Sequence, residues 1–105
     1  MPNRDRTTEQ EIGQAVLRYL HGLPGGEATI AEIKRNLRRN FQFTEADREI
    51  SETRGNEEMW EQQVRNLVSH RTTDDNVIGG GLMTYSPRRL RISDAGTAYL
   101  KRKGL

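Results

Sequence analysis

Residues 57–71 read EEMWEQQVRNLVSHR, and the spacing of apolar residues in this stretch decides how the chain folds. Trp60, Val64, Leu67 and Val68 recur three or four apart, the period of one helical stripe. The stretch therefore predicts an amphipathic helix whose core side carries Trp60, the one tryptophan of the chain. The face turned away holds Gln62, Arg65, Asn66, Ser69 and His70, which donate and accept hydrogen bonds and offer no large apolar group. Glu57, Glu58 and Glu61 in the first turns suit the positive end of the helix dipole. Glu61 also precedes Arg65 by four residues, the stabilising order.

The totals bound what can be built around that helix. A chain of 105 residues has room for one domain, and with 32% hydrophobic and 30% charged residues its core must be small and its surface strongly solvated. The lack of cysteine excludes disulfides and thiolate metal sites and fits a reducing compartment. There is no run of about 18 apolar residues and no basic-then-apolar leader. The expectation is a soluble cytoplasmic protein with no membrane partner. The formal net charge of +2 conceals three blocks: +2 over residues 1–44, −5 over 45–61 and +5 over 62–105. A nucleic-acid face backed by an acidic surface produces such blocks; so do charges that intermix in space and cancel.

Upstream, residues 1–7 offer little to bury and read as a flexible N-terminus, with a single domain over 8–105. Thr8 followed by Glu11 has capping-box spacing, and Ile12, Ala15, Val16, Tyr19 and Leu20 form a helical stripe over 9–21. Gly22, Pro24, Gly25 and Gly26 end it. His21, near that end with no second ligand nearby, reads as structural. Glu27 and Ala28 predict a short extended segment, and Thr29 caps a second helix running to Asn40 on Ile30, Ile33 and Leu37. Lys34, Arg35, Arg38 and Arg39 crowd its outer side, a density that fits phosphate contact and equally a plain solvated face. The triplet Glu32, Ile33, Lys34 has a spacing seen in metal-dependent nucleases, but three residues specify too little and chance explains it. Phe41 and Phe43 return to the core, Thr44 to Ile50 reads as a short helical turn, and a polar loop over 51–56 leads into the central helix. That connection is too long for a minimal helix-turn-helix.

Downstream, Thr72 to Asn76 is turn-rich and Val77 with Ile78 predicts a brief strand. Gly79, Gly80 and Gly81 lack the Lys-Ser/Thr that a phosphate-binding loop requires. Leu82 to Ser86 and Leu90 to Ser93 read as two strands joined across Pro87, Arg88 and Arg89, a hairpin with two arginines at its tip. Ser93 caps a last helix with Ala95, Ala98 and Tyr99 on one face and Lys101, Arg102 and Lys103 at the negative end of its dipole. His70 and Asp74 at a fraying helix end make a poor metal site, so no metal and no cofactor is expected. The sum is a mainly α, α+β chain: a winged helix-turn-helix with about four helices and a two- or three-stranded wing sheet.

Three stretches then become familiar together. The helix Met59 to Ser69, the turn Ser86, Pro87, Arg88, Arg89, and the run Leu90, Arg91, Ile92, Ser93, Asp94, Ala95, Gly96 resemble the N-terminal winged-helix domain of Mrr-type restriction endonucleases. The resemblance reaches back loosely through the first two helices and covers most of the chain. It implies recognition of DNA by a domain that, in the family, is followed by a separate nuclease domain; this sequence ends at Leu105, and a module without the nuclease is expected. Two features depart from the pattern. Leu90 stands where the family commonly has a glycine just past the paired arginines, and residues 72–81 form an extra connection.

Two functions follow. In the first, the chain binds double-stranded DNA as a regulator or restriction-related accessory protein. Arg65 and Asn66 offer guanine- and adenine-type hydrogen-bond patterns, Ser69, His70 and Arg71 extend the contact, and Arg35, Arg38, Arg39, Arg88 and Arg89 neutralise phosphates. In the second, the winged helix serves protein contacts, as a homodimer or docked on a partner, through the acidic stretch Glu45 to Glu61. An enzyme is not expected: cysteine is absent, the two histidines lie in unrelated segments, and no paired carboxylates converge.

Overall fold

Caps written into the sequence set the first two helices. A computed structural model describes residues 6–51 and 55–104. In it α1 spans Glu9–His21, where the Thr8 hydroxyl accepts from the Glu11 N–H and Glu11 accepts from the Thr8 N–H. The strand β1, Glu27–Thr29, runs straight into α2, Ile30–Asn40, and Thr29 with Glu32 repeats the reciprocal box. The Thr29 hydrogen bonds, backbone first, hold the Glu32 carboxyl below its ordinary pKa. The central helix is α3, Met59–Ser69; it is followed by β2, Met83–Ser86, β3, Arg89–Ile92, and α4, Asp94–Lys103, with Ser93 as its cap. The expected loose start falls largely on residues 1–5, outside the described residues, as do residues 52–54 of the expected loop.

Four helices and a three-stranded antiparallel sheet, in the order β1-β3-β2, make a mainly helical α+β arrangement compatible with a small winged-helix-like fold. Ala28, Leu90 and Tyr85 stand side by side across the sheet, and alternation along β3 then puts Arg89 and Arg91 on the other face, where both reach Glu27. The helix α1 lies at the centre, against α2, α3, α4 and β3. Ile12, Val16, Leu17 and Leu20 from it meet Ile33, Trp60, Val64, Leu67, Met83, Leu90 and Leu100 in one buried cluster. Each such side chain contributes about 1.5 to 3 kcal/mol by leaving water. Phe43 stacks on Trp60 with ring centroids 4.5 Å apart, and Phe41 packs on Phe43, so the two phenylalanines do return to the core edge.

Several elements differ from expectation. The central helix is shorter than Glu57 to Arg71, because the backbone before it is already engaged: Ser51 N–H donates to the Glu57 carbonyl, and Ile50 and Glu58 form a β-bridge. Only Glu61 is left as an acid in the first turn. Thr44 to Ile50 forms turns rather than a helical turn, organised by buried Asp47, which accepts from the Thr7 N–H and hydroxyl, each at 2.6 Å, and from the Thr44 N–H at 2.9 Å. Val77 and Ile78 are not a strand. They sit in turns knotted by buried Asn76, whose amide nitrogen donates to the Leu67 carbonyl and to Glu9 and whose oxygen accepts from the Ile78 and Gly79 N–H groups. A Cβ on Gly79 would stand 1.8 Å from the Thr73 carbonyl oxygen, so only glycine lets this knot close. In α4 the buried residues are Gly96 and Leu100, while Ala95 and Ala98 face solvent; a Cβ on Gly96 would fall 2.1 Å from the Leu82 carbonyl oxygen. No helix is long and apolar enough to cross a membrane among the described residues.

Candidate nucleic-acid interface

The outer surface of α3 has two flanks with different chemistry. On the flank facing α2 and the hairpin, Arg65 reaches the carboxylate of Glu57, which also takes Lys34 at 3.7 Å. Glu61 takes Lys34 at 3.5 Å and Arg38 at 3.7 Å, and the Arg38 guanidinium also lies 5.5 Å from the centre of the Trp60 ring. Three cations of this flank are thus held by two carboxylates. The expected pairing of Glu61 forward along its own helix is replaced in the main by pairing across to α2.

Between this flank and the hairpin opens a cleft of about 210 Å³. Its floor is Ile30, Val64, Val68 and Tyr85, and its rim is Lys34, Arg65 and Arg88. Arg71 stands beside it with its guanidinium 5.0 Å over the Tyr85 ring. Arg88 occupies the two-residue turn Pro87–Arg88 between the paired residues Ser86 and Arg89, and its φ is +66°, the left-handed region where a turn after proline normally places glycine. Among the described residues Arg88 is the one non-glycine with positive φ, and no carboxylate lies within ion-pair distance of it. The turn is fixed from behind by the Ile30 N–H, which donates to the Arg88 carbonyl at 2.8 Å.

The flank facing α1 is a closed network. Asn66 donates to the Gln63 side-chain oxygen at 3.1 Å, and the Gln63 amide donates to the Thr7 carbonyl at 3.0 Å; Thr7 is in turn held by Asp47. Burial raises the Asp47 pKa, but the hydrogen bonds from Thr7 and Thr44 outweigh it and hold the carboxyl below the usual range. His70 Nδ1 meets Glu9 at 2.7 Å, at the mouth of a groove that Asn76 and Val77 also line.

The residues read from the sequence as one face therefore separate. Arg65, Arg71 and Arg88 come together at the cleft, and Ser69 is exposed on the last turn of α3. Asn66 and His70 belong to the α1 flank. Arg35 and Arg39 line a separate groove with Tyr19, Asn36 and Asn40, and Arg89 lies on the outer face of the sheet beside Glu27. Tyr85 in the floor, which the sequence reading does not place in the site, is brought in by folding, and Lys34, one of the four α2 cations read as a phosphate-contacting edge, stands at the rim apart from Arg35 and Arg39. Alternation along the strand was the available signal for Tyr85. No group of three or more His, Cys, Asp or Glu side chains able to hold a metal occurs among the described residues. Neither a family model, nor a curated protein, nor a solved structure matches this chain.

Proposed function

We propose that the chain is a double-stranded DNA-binding module, with α3 and the hairpin turn against the duplex and no catalytic step of its own. The observation that carries this reading is the convergence of Arg65, Arg71 and Arg88 with Lys34 around one cleft, with Arg88 held at a backbone position that costs an L-residue about 1 to 2 kcal/mol. An arginine kept where glycine would be cheaper suggests that its side chain is used. Phosphate contact draws on Arg71 and Arg88, and base contact on Arg65 and Ser69. The resemblance of residues 59–69 and 86–96 to Mrr-type N-terminal domains agrees with this reading, and the site of action it proposes is the cytoplasm. A homodimer would enlarge a footprint this small.

The test is the affinity of the purified chain for a fluorescent random-sequence duplex at two salt concentrations, beside an Arg71→Ala, Arg88→Gly double variant. The expected wild-type affinity falls steeply with salt, and the variant's log-log slope is shallower by about 1.8, the loss of two phosphate contacts. No binding at low salt overturns the reading. Docking on a protein is the second reading, and one observation favours it: Ile50, next to Glu49 on the acidic stretch, is 56% exposed. An Ile50→Asp variant that loses a partner while keeping its fold would support it.

A further inference from the structure

We propose that the cleft between α3 and the hairpin is a binding site for a small aromatic carboxylate, which competes there with DNA; the competition rests on the DNA reading, the site itself does not. Its floor of Ile30, Val64, Val68 and Tyr85 is apolar, so the body of the occupant is apolar too. Its rim carries Lys34, Arg65 and Arg88, so the occupant is anionic. Glu57 already takes one side of that rim through Lys34 and Arg65. Arg88 has no such carboxylate, and an incoming carboxylate completes its fork of donors. The size is selective as well. A volume of about 210 Å³ lies below the range of about 300 to 1,000 Å³ of larger ligand sites, which fits one ring and its carboxylate. The turn holding Arg88 is fixed by the Ile30 hydrogen bond, so the backbone that carries this cation is set before the ligand arrives. The same side chains cannot meet a ligand carboxylate and DNA at once, and occupancy therefore weakens DNA binding by mass action.

Benzoate is the probe, followed by backbone and side-chain NMR shifts of the full chain without DNA. The controls are benzamide, acetate and inorganic phosphate at equal concentrations. Saturable shifts at Val64, Val68, Tyr85 and Arg88 with a Kd below about 5 mM are expected for benzoate alone. The Arg88→Gly variant suits the left-handed turn, so it keeps the fold and should weaken benzoate at least about fivefold. The absence of saturable shifts, equal shifts with benzamide or with phosphate, or unchanged affinity in Arg88→Gly would each overturn the site. In a second arm, benzoate at ten times its Kd should weaken binding of the random duplex about tenfold. Benzoate bound at the cleft with no loss of duplex affinity would overturn the competition. Absence of duplex binding without benzoate would instead count against the DNA reading, while the NMR arm decides the site.

Discussion

The two flanks of α3 are built from the same kinds of side chain and do different work. Toward α1, Asn66, Gln63, Thr7 and Asp47 form a chain of hydrogen bonds in which each donor has an acceptor within the molecule. Toward α2 and the hairpin, cations gather at an open cleft and are only partly matched by Glu57 and Glu61. A closed polar network stabilises, because breaking it leaves buried donors unpaired. A cluster with surplus charge does little for stability and is available to a ligand. Substitutions on the first flank should therefore be read in unfolding, and those on the second in binding.

The largest effect should come from the closed flank. Asp47→Ala strands the buried Thr7 N–H and hydroxyl and removes an acceptor from the Thr44 N–H, and the expected loss is about 2 to 4 kcal/mol of unfolding free energy in urea melts. Duplex affinity of the folded fraction should stay within twofold. Acid supplies a second readout. Because the folded Asp47 pKa is depressed, its contribution is complete above the unfolded value of about 3.9 and is lost as pH falls through the lower folded value. Asp47→Asn should flatten this acid limb. A wild-type stability that is unchanged between neutrality and the acid range would break the assignment.

What could be read in advance follows from how far each partner lies along the chain. The caps Thr8 with Glu11, Thr29 with Glu32, and Ser93 with Gly96 lie three residues apart, and they fix helix starts that the sequence displays openly. Asp47 meets Thr7 across 40 residues and Asn76 meets Glu9 across 67, so only the short-range halves of these knots, Asp47 with Thr44 and Asn76 with Ile78 and Gly79, have a local signature, and their long-range closures have none. The buried face of α4 departs from its apparent stripe for another reason: Gly96 registers as no hydrophobe, yet it is the residue whose missing side chain admits the Leu82 carbonyl. In the candidate site, helical spacing places Arg65 and Asn66 around α3 but is silent on their neighbours. It is Lys34 and Glu57 on one side and Gln63 on the other that give the two residues different roles.

On the open flank, Arg65→Ala should weaken duplex binding by about 1 to 3 kcal/mol if its guanidinium meets a base, with relaxed sequence preference in a binding selection. An equal loss on every sequence would instead make Arg65 a phosphate contact. Glu57→Gln tests the partial neutralisation directly. Removing the carboxylate that holds Lys34 and Arg65 should tighten duplex binding about fivefold, roughly 1 kcal/mol, and steepen the salt dependence by about one unit of slope. Weaker binding in Glu57→Gln would mean that the carboxylate orients Arg65 rather than competes for it.

The smallest effect is the most informative about the division itself. Asn66 lies one residue from Arg65 and, by its chemistry, could read adenine, yet its amide donates to Gln63, which is anchored to the Thr7 carbonyl. Reaching a base would cost that hydrogen bond. Asn66→Ala should therefore change duplex affinity by less than about 0.5 kcal/mol and leave sequence preference intact in a binding selection. A loss above about 1 kcal/mol confined to adenine-containing sites would show that the network opens on DNA. The two flanks would then be two states of one recognition surface, with the Gln63 contact as the interaction that DNA must displace.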